Sequence, residues 1–145
     1  ALSGLACPYW DRSASGLWLG LTAATTKADL CQSALEGIAL LTGDVMTALR
    51  GKTEIRNAVS IDGGLTQSPY FTQFLADVLG CGLRRQAFSE LTAFGCAGLA
   101  AMTLERELCP PAETAEIVMP RDIEMTSWRS RFAEALGRAR DWRQA

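Results

Sequence analysis

A long segment near the start of the chain has apolar residues at intervals of three and four positions, the spacing of one helix face. Thr26 precedes this segment and Asp29 follows three positions later, a pattern typical of a capping box at a helix start. Gly51 stands where a glycine commonly ends a helix. We therefore predict one helix between Thr26 and Gly51, and its predicted buried face consists of Leu30, Ala34, Ile38, Leu41, Val45 and Leu49.

Short apolar runs on either side of this helix predict strands, which cover residues 16–22, 58–61 and 83–88. Between the last two, a second helix is expected to begin near Ser68. Pro69 would occupy its first position, where the missing N–H does no harm. Gly80 and Gly82 are predicted to end this helix, and its buried face is predicted to comprise Phe71, Phe74, Leu75 and Val78.

A third helix is predicted from a cap at Thr92 to near Glu105, and its body is built from unusually small residues. Such a surface lets another backbone come close, from a neighbouring helix or a ligand. Prolines interrupt the pattern at residues 109–111, and a loop is predicted up to Met125. A final amphipathic helix is predicted over residues 127–141, with an inward face of Trp128, Phe132, Leu136 and Trp142. This alternation indicates one α/β domain whose helices cover a sheet.

The composition excludes several kinds of chemistry. The 145 residues contain no histidine, which rules out an imidazole base, a Ser-His-Asp or Cys-His triad and histidine-bearing metal sites. Fourteen basic residues against 16 acidic ones give a net charge of −2, unlike a nucleic-acid-binding surface. Five cysteines without a C-x-x-C pair predict reduced thiols in a cytoplasmic protein rather than disulfides or a zinc site. Uncharged stretches, residues 13–26 and 91–104, fall short of the roughly 20 residues that span a membrane, so a soluble chain is predicted.

The strongest local candidate for a ligand site is Asp62-Gly63-Gly64, which follows a predicted strand and precedes the helix expected at Ser68. Adjacent glycines allow crowded or left-handed backbone and the close approach of a ligand. The start of the next helix offers N–H groups and a positive dipole end, which suit a phosphate or a ribose oxygen. The alternative is a structural Gly-Gly turn with Ser68 as an ordinary N-cap. No P-loop sequence is present.

Other residues that could carry chemistry have simpler structural interpretations. Asp11 is expected to be a loop acid paired with Arg12, and Glu36 to be a packing or strand-tethering residue of the long helix. Asp77 and Glu90 are predicted to be solvated. The aromatic residues near the start are expected in the core or at an interface, rather than stacked on a ligand: Tyr9, Trp10 and Trp18. Spacing alone assembles no complete active site.

The region of the first predicted strand and the long helix resembles a known signature. Gly16-x-Trp18-x-Gly20-Leu21, then Asp29-Leu30 and Ser33-Ala34-Leu35-Glu36 at the matching spacing, is similar to the C-terminal signature of the FGGY family of carbohydrate kinases. Further blocks resemble the glycerol-phosphorylating branch of that family, in order and over nearly the whole chain. They are residues 4–11, 20–22, 25–28, 35–39, 42–45, 59–64, 73–80 and 90–100, with Trp128 in the last helix.

The resemblance implies a ribonuclease-H-like, actin-like ATPase fold, with a mixed sheet flanked by helices, and a partial domain. Residues 1–145 would be the C-terminal nucleotide-binding domain of a two-lobed kinase, without that domain's upstream start and without the N-terminal lobe. In such kinases ATP and Mg²⁺ bind between the lobes, and the γ-phosphoryl group passes to a polyol or sugar hydroxyl with an aspartate as base. That aspartate belongs to an upstream Gly-Asp-Gln segment, so neither a catalytic residue nor a metal ligand is assigned here.

The resemblance also implies nucleotide contacts in this chain: Gly63 and Gly64 at the purine and ribose, and Ser68. Glycerol kinases usually carry Asn at the position of Ser68, whereas serine is common in pentulose kinases. A pentulose such as xylulose or ribulose therefore remains an alternative substrate to glycerol. The small-residue helix after Thr92 is implied as a second wall of the same pocket.

Three hypotheses result from these observations. The first is the nucleotide-binding lobe of a carbohydrate kinase, inactive as an isolated piece. It predicts a nucleotide and a small polyol or sugar as partners, neither nucleic acid nor membrane binding, a homo-oligomer, and a cytoplasmic location. The second is a degenerate kinase lobe that senses nucleotide or binds a partner without catalysis. The third is an unrelated α/β domain whose Gly-Gly turn is merely structural.

Overall fold

A computed structural model of the chain describes residues 4–55, 58–86, 90–109 and 115–143. A small sheet with strand order β1-β2-β3 carries helices around it; β1 and β2 are parallel, and β2 and β3 are antiparallel. The predicted α/β architecture, a mixed sheet flanked by helices, is confirmed. In chain order the elements are α1 (Lys27–Arg50), β1 (Ala58–Ile61), a 3₁₀ turn (Gly64–Gln67), α2 (Pro69–Leu79), β2 (Gly82–Arg85), α3 (Leu91–Met102), β3 (Glu116–Val118) and α4 (Thr126–Ala139).

The ends of α1 are those expected from the sequence. Thr26 accepts a hydrogen bond from the Asp29 backbone N–H, and the Asp29 carboxylate accepts one from the Thr26 N–H at 2.8 Å, so the capping box is confirmed. Gly51 follows the last helical residue.

The predicted buried face of α1 is wrong. Ile38 and Leu49 are 44% and 45% exposed. Leu41, which also belongs to the predicted face, packs against a small hydrophobic cluster formed by Leu5, Ala14 and Leu136. The residues that are buried lie on the opposite side of the helix: Glu36, Ala39, Leu40, Gly43 and Met46. The reason is that α2 packs on the side where a glycine allows close approach, a feature that hydrophobic spacing does not register.

Helix α2 confirms its prediction. Ser68 caps it, with its hydroxyl oxygen accepting from the Phe71 N–H at 3.3 Å, and Pro69 is the first helical residue. Gly80 ends the helix in a left-handed conformation, with φ of +62°. The residues predicted to face inward all belong to the larger of the two hydrophobic clusters, which also contains Leu83 of β2: Phe71, Phe74, Leu75 and Val78. The predicted third strand is seen as far as Arg85, and residues 87–89 lie outside the described residues.

Two predictions about strands are wrong. Residues 16–22 are not a strand; within the described residues no neighbouring strand hydrogen-bonds to them, and an apolar run becomes a strand only when its backbone groups find such a partner. In the stretch predicted to be a loop before Met125, β3 pairs with β2 in the register Leu83↔Val118. A strand of three residues is too short for its periodicity to be recognised.

The last two helices depart from prediction at their ends. Helix α3 begins after Glu90 rather than at a Thr92 cap, so Thr92 lies inside the first turn. Helix α4 ends at Ala139, where Arg140 takes an extended conformation. Trp142 consequently leaves the helix face and is 70% exposed, which contradicts its predicted inward position. Trp128 is only partly as predicted: its ring lies edge-on to Phe74 at 5.3 Å between centroids, but the residue is 38% exposed.

The first described residues are tied to the end of α4. The backbone N–H of Ser15 donates to the Ala139 carbonyl, and that of Arg143 donates to the Ser13 carbonyl, both at 3.0 Å. Leu5, Ala14 and Leu136 form the small cluster beneath this contact. Among the described residues, no helix combines the length and the apolar character that crossing a lipid bilayer requires.

Candidate functional site

The candidate ligand-binding segment lies where β1 ends. Asp62 follows the last residue of β1, and the chain then turns through Gly63 and the 3₁₀ turn to Ser68, the cap of α2. Gly63, Gly64 and Ser68, all predicted as site residues, are thus brought together in one short segment, which we call the glycine turn (residues 63–68). Gly63 has φ of +94°, a conformation that strains any residue with a side chain.

The glycine turn is held by two residues that sequence reasoning did not single out. Thr66 is buried, and its hydroxyl donates to the Gly63 carbonyl at 2.7 Å. Arg85, at the end of the neighbouring strand β2, donates from Nη1 to the Thr66 carbonyl at 3.2 Å and forms an ion pair with Glu116. Neither residue belongs to a recognisable sequence motif. Their role could be predicted only from the rule that the last residues of paired parallel strands lie at the same edge of a sheet.

The outer surface of the glycine turn is open. A Cβ added at Gly63 or at Gly64 would meet no heavy atom within 4 Å, so no side chain of the described residues fills the space over this backbone. The Ser68 oxygen is already the acceptor for the Phe71 N–H, which leaves its hydroxyl hydrogen to donate outward. The positive end of the α2 dipole lies at the same place. This arrangement suits a ligand that carries hydrogen-bond acceptors and has a flat face that can lie directly against the protein backbone.

A buried carboxylate supports the start of α2. Glu36 of α1 is 8% exposed, and its Oε1 accepts from the Tyr70 hydroxyl at 2.5 Å and from Gln32 Nε2 at 2.7 Å. The prediction that Glu36 serves packing is confirmed, but the element it tethers is the first turn of α2 rather than a strand. Sequence spacing along one helix could not identify Tyr70 as its partner, because the contact joins residues 34 positions apart.

Asp77 was expected to be solvated, and that prediction is wrong. Its side chain is fully buried, and its carboxylate accepts from the Arg121 backbone N–H at 2.7 Å, from the Arg121 guanidinium at 2.6 and 3.0 Å, and from Gln73. Burial by itself would raise the pKa of Asp77, but these hydrogen bonds outweigh it and hold the pKa below its usual value. Gln73 also donates to the Met119 carbonyl, so this cluster fastens the segment after β3 to α2.

Asp11 also differs from its prediction, since its main partners do not include Arg12. Its carboxylate accepts from the Ser13 hydroxyl at 2.6 Å, from the Ser13 N–H at 2.8 Å and from the Asp141 N–H at 3.1 Å, with Arg140 3.9 Å away. These bonds, that of the Ser13 hydroxyl first, lower the pKa of Asp11. An aspartate that bonds the backbone two residues on forms a turn, which explains why the adjacent arginine is not its partner.

The aromatic residues near the start are only partly as predicted. Tyr9 is half-buried and donates from its hydroxyl to Asp44 at 2.8 Å; burial and this carboxylate raise its pKa to about 12. Trp10 and Trp18 are 75% and 56% exposed, so the core interpretation is wrong for both. Glu90 is exposed, as expected.

Two further predictions concern metals and the pocket wall. In residues 4–55, 58–86, 90–109 and 115–143, no three acidic or cysteine side chains converge as a metal site would require. Helix α3 has no buried residue, and its role as a second wall of the pocket stays a prediction.

Comparison with known proteins gives consistent relatives. The sequence profile of the C-terminal domain of the FGGY family of carbohydrate kinases matches residues 1–104. The glycerol kinase of Aquifex aeolicus is 33% identical over 151 aligned residues, which cover 98% of this chain and 31% of the relative. The glycerol kinase of Rhodopirellula baltica is 35% identical over 152 residues, which cover 98% of this chain and 28% of the relative. The chain thus spans less than a third of the length of these curated relatives.

Solved structures show the same fold. The glycerol kinase of Plasmodium falciparum, solved with ADP, superposes with a TM-score of 0.76 at 23% identity, over 96% of this chain and 29% of that one. The ligand-bound xylulose kinase of Lactobacillus acidophilus superposes with a TM-score of 0.65 at 19% identity, over 91% of this chain and 28% of that one.

Proposed function

The chain belongs to the FGGY family of carbohydrate kinases, and on that premise we propose that residues 1–145 form the C-terminal nucleotide-binding lobe of an ATP-dependent kinase that phosphorylates glycerol or a related polyol or sugar. In this proposal Gly63, Gly64 and Ser68 contact the nucleotide. The glycerol kinases among the relatives support glycerol as the acceptor.

The observation that carries the nucleotide proposal is the open backbone of the glycine turn beside the Ser68 hydroxyl. The flat face of a purine or a ribose needs backbone without an intervening side chain, and among the described residues no heavy atom lies within 4 Å of a Cβ added at Gly63 or Gly64. The Ser68 hydroxyl offers one donor to a ring nitrogen or a ribose oxygen. The turn is fixed in advance by Thr66 and Arg85, so little ordering entropy is lost on binding.

The chain contributes nucleotide contacts and not the catalytic base. No Gly-Asp-Gln segment occurs in its sequence, and that segment carries the aspartate in kinases of this type. Mg²⁺ is expected to arrive bound to the nucleotide phosphates, as is usual for this ion in kinases, where it neutralises charge on the transferred group. We therefore expect the isolated 145 residues to show no ATP-dependent phosphorylation of glycerol.

Ser68 supports a second acceptor. Its side chain is shorter than the asparagine usual at this position in glycerol kinases, and it resembles the pentulose kinases there. A pentulose such as xylulose or ribulose is therefore the alternative substrate.

We further propose a cytoplasmic location. All five cysteines are free, which suits a reducing compartment. A homo-oligomer remains part of the proposal, and the exposed apolar residues Leu99 and Met102 on α3 are consistent with self-association.

The test is a kinase assay on the full-length protein that carries these residues, with ATP, Mg²⁺ and a panel of glycerol, xylulose, ribulose and erythritol. ATP-dependent phosphorylation of one of these supports the proposal and names the acceptor. Nucleotide binding by calorimetry without turnover of any acceptor would instead support a nucleotide-sensing lobe. Absence of both binding and turnover would contradict the proposed function.

A further inference from the structure

A buried acid that forms no ion pair with any described residue lies against the first turn of α2. Glu36 is 8% exposed, and both donors to its Oε1, the Tyr70 hydroxyl and the Gln32 amide, are neutral. Burying a carboxylate is unfavourable unless hydrogen bonds compensate it, so a residue of this type is retained where its bonds hold something in place. A leucine or methionine would fill the same space without that cost.

What the carboxylate holds is the first turn of α2. Tyr70 is the second residue of that helix, and only Pro69 separates it from Ser68. The ring of Pro69 fixes the φ angle of that residue, so the backbone between Tyr70 and Ser68 has little conformational freedom. A displacement of Tyr70 therefore also displaces Ser68. The Tyr70 ring also lies parallel to that of Phe74, at 6.3 Å between centroids and 7° between planes, which orients the hydroxyl toward α1.

We propose that Glu36 and Tyr70 are positioning residues of the nucleotide site: their hydrogen bond sets the start of α2, and so places the Ser68 hydroxyl and the adjoining Gly64 against the nucleotide. The inference rests on the proposed nucleotide-binding function and adds to it residues that touch neither nucleotide nor acceptor. It predicts a specific loss of nucleotide affinity when the bond is removed, with the acceptor site unaffected.

The Tyr70 hydroxyl remains the donor of this bond at neutral pH, because its pKa is raised. Burial first, and then the Glu36 carboxylate, raise the pKa of Tyr70 to about 12, so the hydroxyl keeps the proton that it donates.

The chain offers a matched control. Tyr9 also donates its hydroxyl to a carboxylate of α1, Asp44, at 2.8 Å, and the pKa of Tyr9 is likewise raised to about 12. Tyr9 lies in the segment before α1 and not next to the glycine turn. Tyr70→Phe and Tyr9→Phe therefore delete the same atom from the same kind of bond, and only the first of these bonds leads to Ser68.

The experiment compares the two variants with wild type in the full-length protein, measuring kcat, the KM for ATP and the KM for the acceptor. We expect Tyr70→Phe to raise the KM for ATP about three- to tenfold, the size of one ordinary net hydrogen bond. The KM for the acceptor should stay within twofold, and Tyr9→Phe should leave both constants unchanged. Glu36→Leu, which also removes the hydrogen bond from Gln32, should raise the KM for ATP at least as much as Tyr70→Phe. The double variant should add nothing to the effect of Glu36→Leu, because the bond between Glu36 and Tyr70 is already lost.

Each outcome decides between the alternatives. If wild type neither binds nor uses ATP, the proposed function is wrong, and the inference falls with it. If wild type is active and Tyr70→Phe leaves the KM for ATP unchanged, or if Tyr9→Phe raises it equally, the positioning role alone is overturned. If Tyr70→Phe does not fold, Glu36→Leu provides the same measurement, and an unchanged KM for ATP there also overturns the role.

Discussion

Val78 of α2 lies so close to Gly43 of α1 that a Cβ added at Gly43 would stand 2.8 Å from its Cγ1 atom. Val78 is 1% exposed and Gly43 is buried, so the two helices meet at this point without room for a methyl group. The contact explains why α1 turns its glycine side, and not its stripe of larger apolar residues, toward α2.

The first prediction concerns this contact. Gly43→Ala would force Val78 or a helix backbone to move, and we expect it to lower the free energy of unfolding by about 1 to 3 kcal/mol. Gly137→Ala is the matched control, because a Cβ there meets nothing within 4 Å. Replacing a glycine inside an exposed helix should raise the stability by up to about 1 kcal/mol. Urea unfolding of both variants measures the difference, and equal effects would show that the helices can separate without cost.

The second prediction concerns the glycine turn. Gly64→Val places a branched side chain in the open space over the turn, and Gly64 does not need a left-handed conformation, so the fold should tolerate it. In the full-length protein we expect the KM for ATP to rise about tenfold or more, equivalent to about 1.4 kcal/mol of binding energy, and the KM for the acceptor to change little. Gly137→Val, at another open glycine, should change neither. An unchanged KM for ATP in Gly64→Val would argue against a nucleotide at this turn.

The third prediction concerns the buried acid Asp77. Arg121→Gln removes two of the guanidinium hydrogen bonds that compensate its burial, so the free energy of unfolding at pH 7 should fall clearly. Arg138→Gln breaks a pair with Glu134 in which both side chains are more than 60% exposed, and it should stay within about 0.5 kcal/mol of wild type. Thermal unfolding compares them; if the two losses were the same size, the Asp77 cluster would be no more than a surface contact.

The fourth prediction gives the pH dependence of that cluster. The pKa of Asp77 is lowered in the folded chain, so the unfolded chain binds its proton more readily. The stability from ionised Asp77 is therefore complete above the ordinary carboxyl pKa of about 4 and is lost as the pH falls through the lower folded value. Wild type should lose stability between pH 4 and acid unfolding more steeply than Asp77→Asn, in which that proton is absent. Parallel urea-unfolding curves against pH in the two proteins would contradict the assignment.

Several features of this protein could be predicted from sequence because their causes act over a few residues. The capping box of Thr26 and Asp29, the Ser68 cap and the left-handed Gly80 all depend on neighbours within one helical turn. The glycine turn is equally local, since Gly63 and Gly64 lie between a strand and a capped helix. The family signature that includes Glu36 is likewise a local pattern of residues along the chain.

Other features were decided by contacts between distant parts of the chain. From its sequence context alone, Asp77 is predicted to be an ordinary surface acid. Only the fold places Arg121, 44 positions away, in contact with it. Strand β3 is too short to show the alternation of polar and apolar residues typical of a strand. It forms because the free edge of β2 provides hydrogen-bond partners for its backbone. Trp142 does not face inward as predicted, because α4 ends three residues before it.

The amino-acid sequence by itself determined where α1 and α2 begin and end, which residues make the glycine turn, and the family of the chain. Only the tertiary structure decided which side of α1 is buried, that Glu36 supports Tyr70, and that Asp77 is an internal anchor. The physical reason is the range of the forces involved. Caps and backbone preferences are local, whereas the burial of a face and the pairing of a buried charge depend on which other element packs against it.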